Sequence, residues 1–365
     1  MKHIILLILL TLGVWGQEVG VPYLDYAHIN VKEFVGGRKV AVSTVNNKLI
    51  KLEAKGKFSI WNLAPFEKID EFLIPYANWF YLSEDMKKII VSTYTDLAPP
   101  SENVSTTIVW DLEKKKPLIE FPYESHGAIM TDQKLFIMEE NSCLHVYDLK
   151  TFKELDRIEL NVTTILRRTF SATNYGKEIK DSPHSLDISK DKIIIRYANN
   201  IVILDTKTLR ILKSIKFDDL WATYSYMDVE KDILYYGDKY QMDVKTLDIK
   251  ESKDTSQNQI YEKLDNLIGE NHFYRGSIPN PKHKIFAYGK KQYIRLIDSK
   301  TLNVYGTFSE FTNNAWIIIT PDGYFDGSPE SRKYLTMKTL FGELVPIDDA
   351  TYYKFNKKIN IGEKK

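Results

Sequence analysis

Cysteine is almost absent from this chain of 365 residues. The single one, Cys143, cannot close an intramolecular disulfide, so the fold has to hold by strand pairing and core burial. Net charge is equally scarce. Fifty basic residues against 49 acidic ones leave +1, without the clustered positive field that phosphate binding needs, so no nucleic-acid partner is expected. The lysines at 114–116 and the terminal lysine pair read as solvated turn and tail. An apolar run long enough to span a membrane is missing at the N-terminus: Ile4 to Val14 is about 11 residues where a spanning helix needs about 20. Lys2 and His3 precede that run, and Val14-Trp15-Gly16 before Gln17 approximates a small-x-small cleavage site. Residues 1–16 are therefore expected to be a cleaved signal peptide. No Cys lies near that point to carry a lipid, so the mature chain is expected to be periplasmic, soluble, monomeric and without a stable membrane anchor.

What is present is a repeat. Apolar residues in alternation lead to Asp or Asn, then a Lys/Thr-rich turn, then a second apolar stretch. The acidic or amide position falls at Asp25, Asn62, Asp111, Asp148, Asp205, Asp243 and Asp298, with intervals of roughly 37 to 57 residues that bracket the period of a four-stranded propeller blade. Between Asp25 and Asn62 the phrases KEFVGG, KVAVSTV, KLIKLEAKG and KFSIWNL supply short apolar runs punctuated by Gly-Gly and Asn-Asn, which is room for four strands rather than a helix pair. The wider intervals hold loop-like insertions, at 94–105, 171–183 and 251–259. With 43% hydrophobic residues the chain can bury the core of one large body. The expected fold is all-β: a seven-bladed β-propeller over residues 17–340, closed by N- and C-terminal strands. The strand around Leu24 is expected to complete the blade begun by Trp316 to Ser328, removing exposed sheet edges. Residues 341–365 read as a tail with a short helix, capped by Asp348 or Asp349 and carrying Tyr352, Tyr353 and Phe355 as a strap over the outer blades.

Few residues carry chemistry. Cys143 and His145 are two apart and point to one face of a strand, where such a pair is expected to pack rather than catalyse. His28, His126, His184, His272 and His283 are scattered without zinc or haem spacing. Ser182, His184 and Asp187 have triad residue types but no nucleophile elbow. Pro321-Asp322-Gly323 and Asp326-Gly327-Ser328 are turn sequences, and Asp322 with Asp326 supplies too few oxygens for calcium. Asn103 and Asn161 satisfy the glycosylation rule, and Glu159 stands two residues before the second. No catalytic, cofactor-binding or metal-binding residue is assigned.

The repeated phrases, with YLSEDMKKIIVST at 81–93 and HSLDISKDKIIIRYANNIVILD at 184–205, resemble degenerate WD-repeat blades, in which a histidine, a Ser/Asp turn and a terminal Asp mark successive strands. The phrase WIIITPDGYFDGS at 316–328, followed by SRKYL, resembles the one that closes the propeller in bacterial WD-repeat proteins, including those fused to a caspase-like peptidase. The roughly 37 residues after Ser328 leave no room for that peptidase, so no protease activity is expected. The function expected is non-catalytic: an exported propeller that binds another, unidentified protein as a scaffold or assembly factor. The alternative is a ligand-binding or redox-accessory propeller working through its central channel.

Overall fold

The computed structural model describes residues 21–24, 41–45, 47–83, 85–93, 105–139, 141–165, 178–180, 183, 185–197, 200–216, 225–228, 231–236, 240–251, 285–289, 293–338 and 344–361. The fold is all-β, built of several antiparallel sheets. Six of these sheets carry the repeat. The first joins Ala41–Val45, Lys48–Leu52, Lys57–Leu63 and Phe66–Leu73 in chain order, and the second joins Ala77–Leu82, Lys88–Thr93, Thr106–Asp111 and Lys116–Phe121. The third runs Ser125–Met130, Lys134–Glu139, Cys143–Asp148 and Glu154–Glu159; the fourth Ser185–Ser189, Lys192–Arg196, Asn200–Asp205 and Ile211–Lys216. The fifth runs Ser225–Asp228, Ile233–Tyr236, Tyr240–Asp243 and Ile249–Glu251. The sixth has five strands: Ile285–Gly289, Ile294–Asp298, Val304–Glu310, Trp316–Ile319 and Phe325–Gly327. Burial follows position in the sheet. Lys192–Arg196 and Asn200–Asp205 are buried almost throughout, whereas the fourth strands Phe66–Leu73 and Ile211–Lys216 alternate or lie open to solvent, as expected of strands covered on two faces and on one.

The Asp phrase has one structural meaning in four sheets. Asp148, Asp205, Asp243 and Asp298 each end a strand, and each Oδ1 accepts the backbone N–H groups two and three residues on. Thr151 and Thr208 add their hydroxyls to the same oxygen. The residue four positions after the Asp then takes positive φ, at Phe152, Leu209, Leu247 and Leu302, and returns its N–H to the aspartate carbonyl at 2.7 to 3.0 Å. Bulky residues rarely adopt that conformation. Here the closed turn holds it, and the apolar side chain is aimed inward: Leu209 and Leu302 are buried, Phe152 and Leu247 partly so. Asp111 accepts the same pair of N–H groups, with Lys115 at positive φ. Asn62 departs from the pattern. Leu63 pairs directly with Phe66 across a cis Ala64–Pro65 bond, and the Asn62 amide donates to Glu67 instead.

Neighbouring sheets share cores. Ile50, Leu52, Phe58 and Ile60 pack on Phe80, Leu82, Ile89 and Val91 of the second sheet, and the contact passes on through the third and fourth to the fifth, where Ile194 and Ile203 meet Leu234 and Met242. The sixth sheet returns to the first. Leu49, Trp61, Leu63 and Phe66 are buried against Leu296, Phe308 and Ile318, and the Thr44 hydroxyl donates to the Ile285 carbonyl. A buried ion cluster crosses the same seam: Lys51 Nζ lies 2.6 Å from Glu310 and 3.0 Å from Glu53, while Lys68 reaches Glu310 at 3.3 Å.

Two expectations change in detail. Val21–Leu24 does pair with a C-terminal strand, but its partner is Leu335–Lys338, in a three-stranded sheet completed by Leu344–Pro346. Trp316–Ile319 instead extends the sixth sheet beside Val304–Glu310, because a short hairpin closes a smaller loop than pairing with the distant N-terminus. Among the described residues the strand before Asp25 lies in this sheet of three, and six repeat sheets are described where seven blades were expected. Asp25, the 1–16 leader, His28, His184, His272, His283 and Asn103 lie outside the described residues. The tail helix runs Asp349–Phe355 and buries Tyr352 and Phe355 on Phe325, Tyr334 and Ile347. The chain then crosses to the first sheet: Lys357 N–H donates to the Phe325 carbonyl, Ile361 N–H to the Leu63 carbonyl, and the Ile359 carbonyl accepts from Phe66 N–H.

Two outcomes are expected. The backbone N–H groups at Asp205 hold its carboxyl below the usual carboxylate range, as they do at Asp111, Asp148 and Asp243. With the folded value below the unfolded one, the folded chain binds fewer protons. The contribution is therefore complete above the unfolded value of about 4 and is lost as pH falls through the folded value. Melting temperature measured against pH should drop on acidification in the wild type and less steeply in Asp205→Asn; parallel curves would contradict the turn assignment. At the seam, Lys51→Met leaves the buried Glu53 without a cation and Glu310 with Lys68 alone, and should cost about 3 to 5 kcal/mol by denaturant unfolding, with Lys51→Met/Glu310→Leu recovering part of it.

Candidate functional site

A set of bonded polar groups spreads across the third sheet. Glu139 ends one strand, and Asn141 and Ser142, the latter at positive φ, turn the chain into Cys143–Asp148. The Asn141 side-chain oxygen accepts Cys143 N–H at 2.9 Å and fixes that turn. The register sets His145 opposite Arg157 and Tyr147 opposite Glu154 on the neighbouring strand. Cys143 and His145 therefore share a face, as their spacing requires. The fold brings Glu139, Glu154 and Arg157 to that face as well.

The geometry is close. His145 Nδ1 lies 2.9 Å from Glu154 Oε1, and Nε2 lies 3.2 Å from Glu139 Oε2. Arg157 Nε donates to Cys143 Sγ at 3.1 Å. Tyr123, in the link between the second and third sheets, stacks on the imidazole with ring centroids 4.6 Å apart, and its hydroxyl meets that of Tyr147 at 2.7 Å. Cys143 and His145 are 2% and 4% exposed. Burial raises the Cys143 thiol pKa against the opposing pull of Arg157, and burial likewise raises both tyrosines. Cys143, His145 and Glu139 offer one sulfur, one nitrogen and one oxygen within 4.8 Å of one another. The two glutamates and the arginine were not singled out from sequence, although the register of a tight hairpin would have set Glu139 beside Cys143.

The closing phrase is structural at both aspartates. Asp322 accepts the Thr320 hydroxyl in a turn whose Gly323 has φ +85°. Asp326 is buried, accepts Gly327 N–H at 2.9 Å and Ile359 N–H at 3.3 Å, and so ties the tail to the sixth sheet; burial raises its pKa. Its neighbour Gly327 leaves no room for a side chain, since a Cβ would stand 2.6 Å from the Trp316 carbonyl oxygen. Beside the tail an open groove of about 660 Å³ is lined by Asn313, Pro329, Arg332, Lys333 and Pro346. Asp187 is paired with Arg196, Asn161 is exposed, and His126 is half-buried in the third sheet. Large apolar side chains stand open on the last strands of four sheets: Ile69 and Leu73, Leu155, Ile211 and Leu212, and Ile249.

No protein-family model and no curated protein sequence matches the chain. Among solved structures it is similar to the β-propeller domain of Myceliophteria thermophila Cps50 (Swd1), at 11% identity and a TM-score of 0.46, covering 77% of this chain and 96% of that one.

The enclosure of Cys143 has a direct readout. Alkylation of the native protein should be slow and become fast on unfolding, and Arg157→Ala should change the native rate because the guanidinium caps the sulfur. Equal rates in the native and denatured chain would contradict the geometry.

Proposed function

We propose that the chain is a non-catalytic β-propeller of the periplasm, its described repeat sheets forming part of the ring, and that it serves as a scaffold or assembly factor by binding another protein. The observation that carries this reading is the recurrence of exposed apolar side chains on the last strand of four sheets, with Leu73, Leu155 and Ile211 each more than half exposed and Ile69, Leu155 and Leu212 at the same bulged position. Solvated strands normally set polar residues outward, and apolar residues left open in corresponding positions suit a partner surface better than water. The direct packing of the sixth sheet on the first supports a ring in which every sheet has two neighbours. Charged residues between the apolar ones, such as Glu67, Lys68 and Glu71, supply the polar rim of such an interface.

The test is recovery of the intact protein from osmotic-shock fluid under native conditions, followed by light scattering and mass spectrometry. A stoichiometric protein partner, retained by the wild type and lost in a folded Ile211→Lys/Leu212→Lys variant, is the expected result. A partner-free monomer carrying a small molecule would favour the ligand-binding or redox-accessory reading through the central channel. Recovery only from the cytoplasm would overturn the assigned location.

A further inference from the structure

We propose that Glu139, Cys143 and His145 form a binding site for one borderline divalent cation of the zinc type, with Glu154 orienting the imidazole and Arg157 hydrogen-bonded to the sulfur. The donor set carries the choice of metal. A thiolate, an imidazole and a carboxylate together suit zinc-like ions, whereas calcium and magnesium prefer oxygen alone. The geometry is near what such an ion requires. Bonds of about 2.0 to 2.3 Å arranged tetrahedrally put ligand atoms about 3.3 to 3.8 Å apart. The three donor atoms lie within 4.8 Å of one another, with Nε2 and Oε2 at 3.2 Å, so small side-chain rotations complete the site.

The surroundings of His145 point independently to a cation. Both ring nitrogens face carboxylate oxygens, at 2.9 Å and 3.2 Å. A neutral imidazole has one N–H to give, so with ionised glutamates one of those contacts sets a lone pair against an acceptor. The two sides differ. On the Glu154 side the Tyr147 hydroxyl lies 3.4 Å from Nδ1 but no cysteine or second carboxylate joins it among the described residues, and a plain Nδ1–H to carboxylate hydrogen bond fits, as in carboxylate–histidine–metal sites. On the Glu139 side Cys143 Sγ completes a triangle, and a cation there replaces the repulsion with bonds to nitrogen, oxygen and sulfur. Cys143 enters as the thiolate, its proton passing to water, and the Arg157 guanidinium at 3.1 Å favours the anionic sulfur. Three protein ligands leave a fourth position for water or a ligand group. The residues lie on three paired strands and the hairpin between two of them, so the site is built on strands rather than long loops.

The experiment uses the untagged full chain, stripped with chelator, dialysed with Zn²⁺ and then against metal-free buffer, with bound metal measured by elemental mass spectrometry. Reconstitution with Co²⁺ adds a spectroscopic readout. The expected results are one zinc retained per chain and a thiolate-to-cobalt charge-transfer band that disappears in Cys143→Ser. Glu154→Gln should retain the site with affinity weakened about 10- to 100-fold, as loss of an orienting carboxylate does elsewhere. Among the three ligands Glu139→Gln is the variant least exposed to a folding artefact, since its side chain alone of the three reaches solvent; folded by circular dichroism and with unchanged zinc affinity, it would overturn the proposal. So would substoichiometric zinc after dialysis, the result expected if His145 is instead a doubly protonated imidazolium between its two carboxylates. A cobalt band that survives Cys143→Ser would place the metal elsewhere and refute the assignment equally.

Discussion

The structure depends on one small device repeated around the chain: an aspartate that closes a strand and captures the next turn. A carboxylate oxygen takes two backbone N–H groups that would otherwise be unpaired, and the turn so formed drives the residue four positions on into the left-handed region. The consequence is larger than the turn. After Asp205 that residue is Leu209, and its unusual backbone conformation aims the side chain into the core shared with the third sheet; Leu302 after Asp298 is buried as well. Local hydrogen bonding thereby fixes both the register of the third and fourth strands and a packing contact between units. The register shift at Ile203/Leu204 and Leu296/Ile297 is the bulge that accommodates it.

Sheets built this way cannot stand alone, because their middle strands are apolar on both faces. Each needs a neighbour on either side. The seam between the sixth and first sheets is reinforced by three separate means, namely the Trp61–Phe308 aromatic contact at 4.7 Å, the buried Lys51–Glu310 pair, and the tail that hydrogen-bonds to Phe325 on one side and Leu63 on the other. The strap also explains the buried Asp326. Its second oxygen meets the Ile359 N–H, so a residue placed in a turn motif acts as the latch for a segment more than thirty residues later.

The polar cluster around His145 was only half legible. Cys143 and His145 announce their shared face through a spacing of two, which any strand imposes. Glu154 and Arg157 reach them from the next strand, and which of their neighbours would face inward depended on the bulge at Val146/Tyr147, a shift of one residue that composition does not reveal. Tyr123 comes from the link between the second and third sheets, so its stacking on His145 is a product of how units pack.

The repeat, the strand-rich character and the aspartate turns were determined by the sequence alone, because alternation, turn chemistry and spacing act over a few residues and leave their mark within each phrase. Counting the phrases could not decide how many belong to four-stranded sheets. Asp25 has the right neighbours, yet Val21–Leu24 pairs with Leu335–Lys338 in a sheet of three. Likewise the Trp316–Ser328 phrase announces a hairpin but not the strand beside it. Strand partners far apart in the chain are chosen by which buried faces fit and which edges are free once the rest has folded, and that competition is settled only in the tertiary structure.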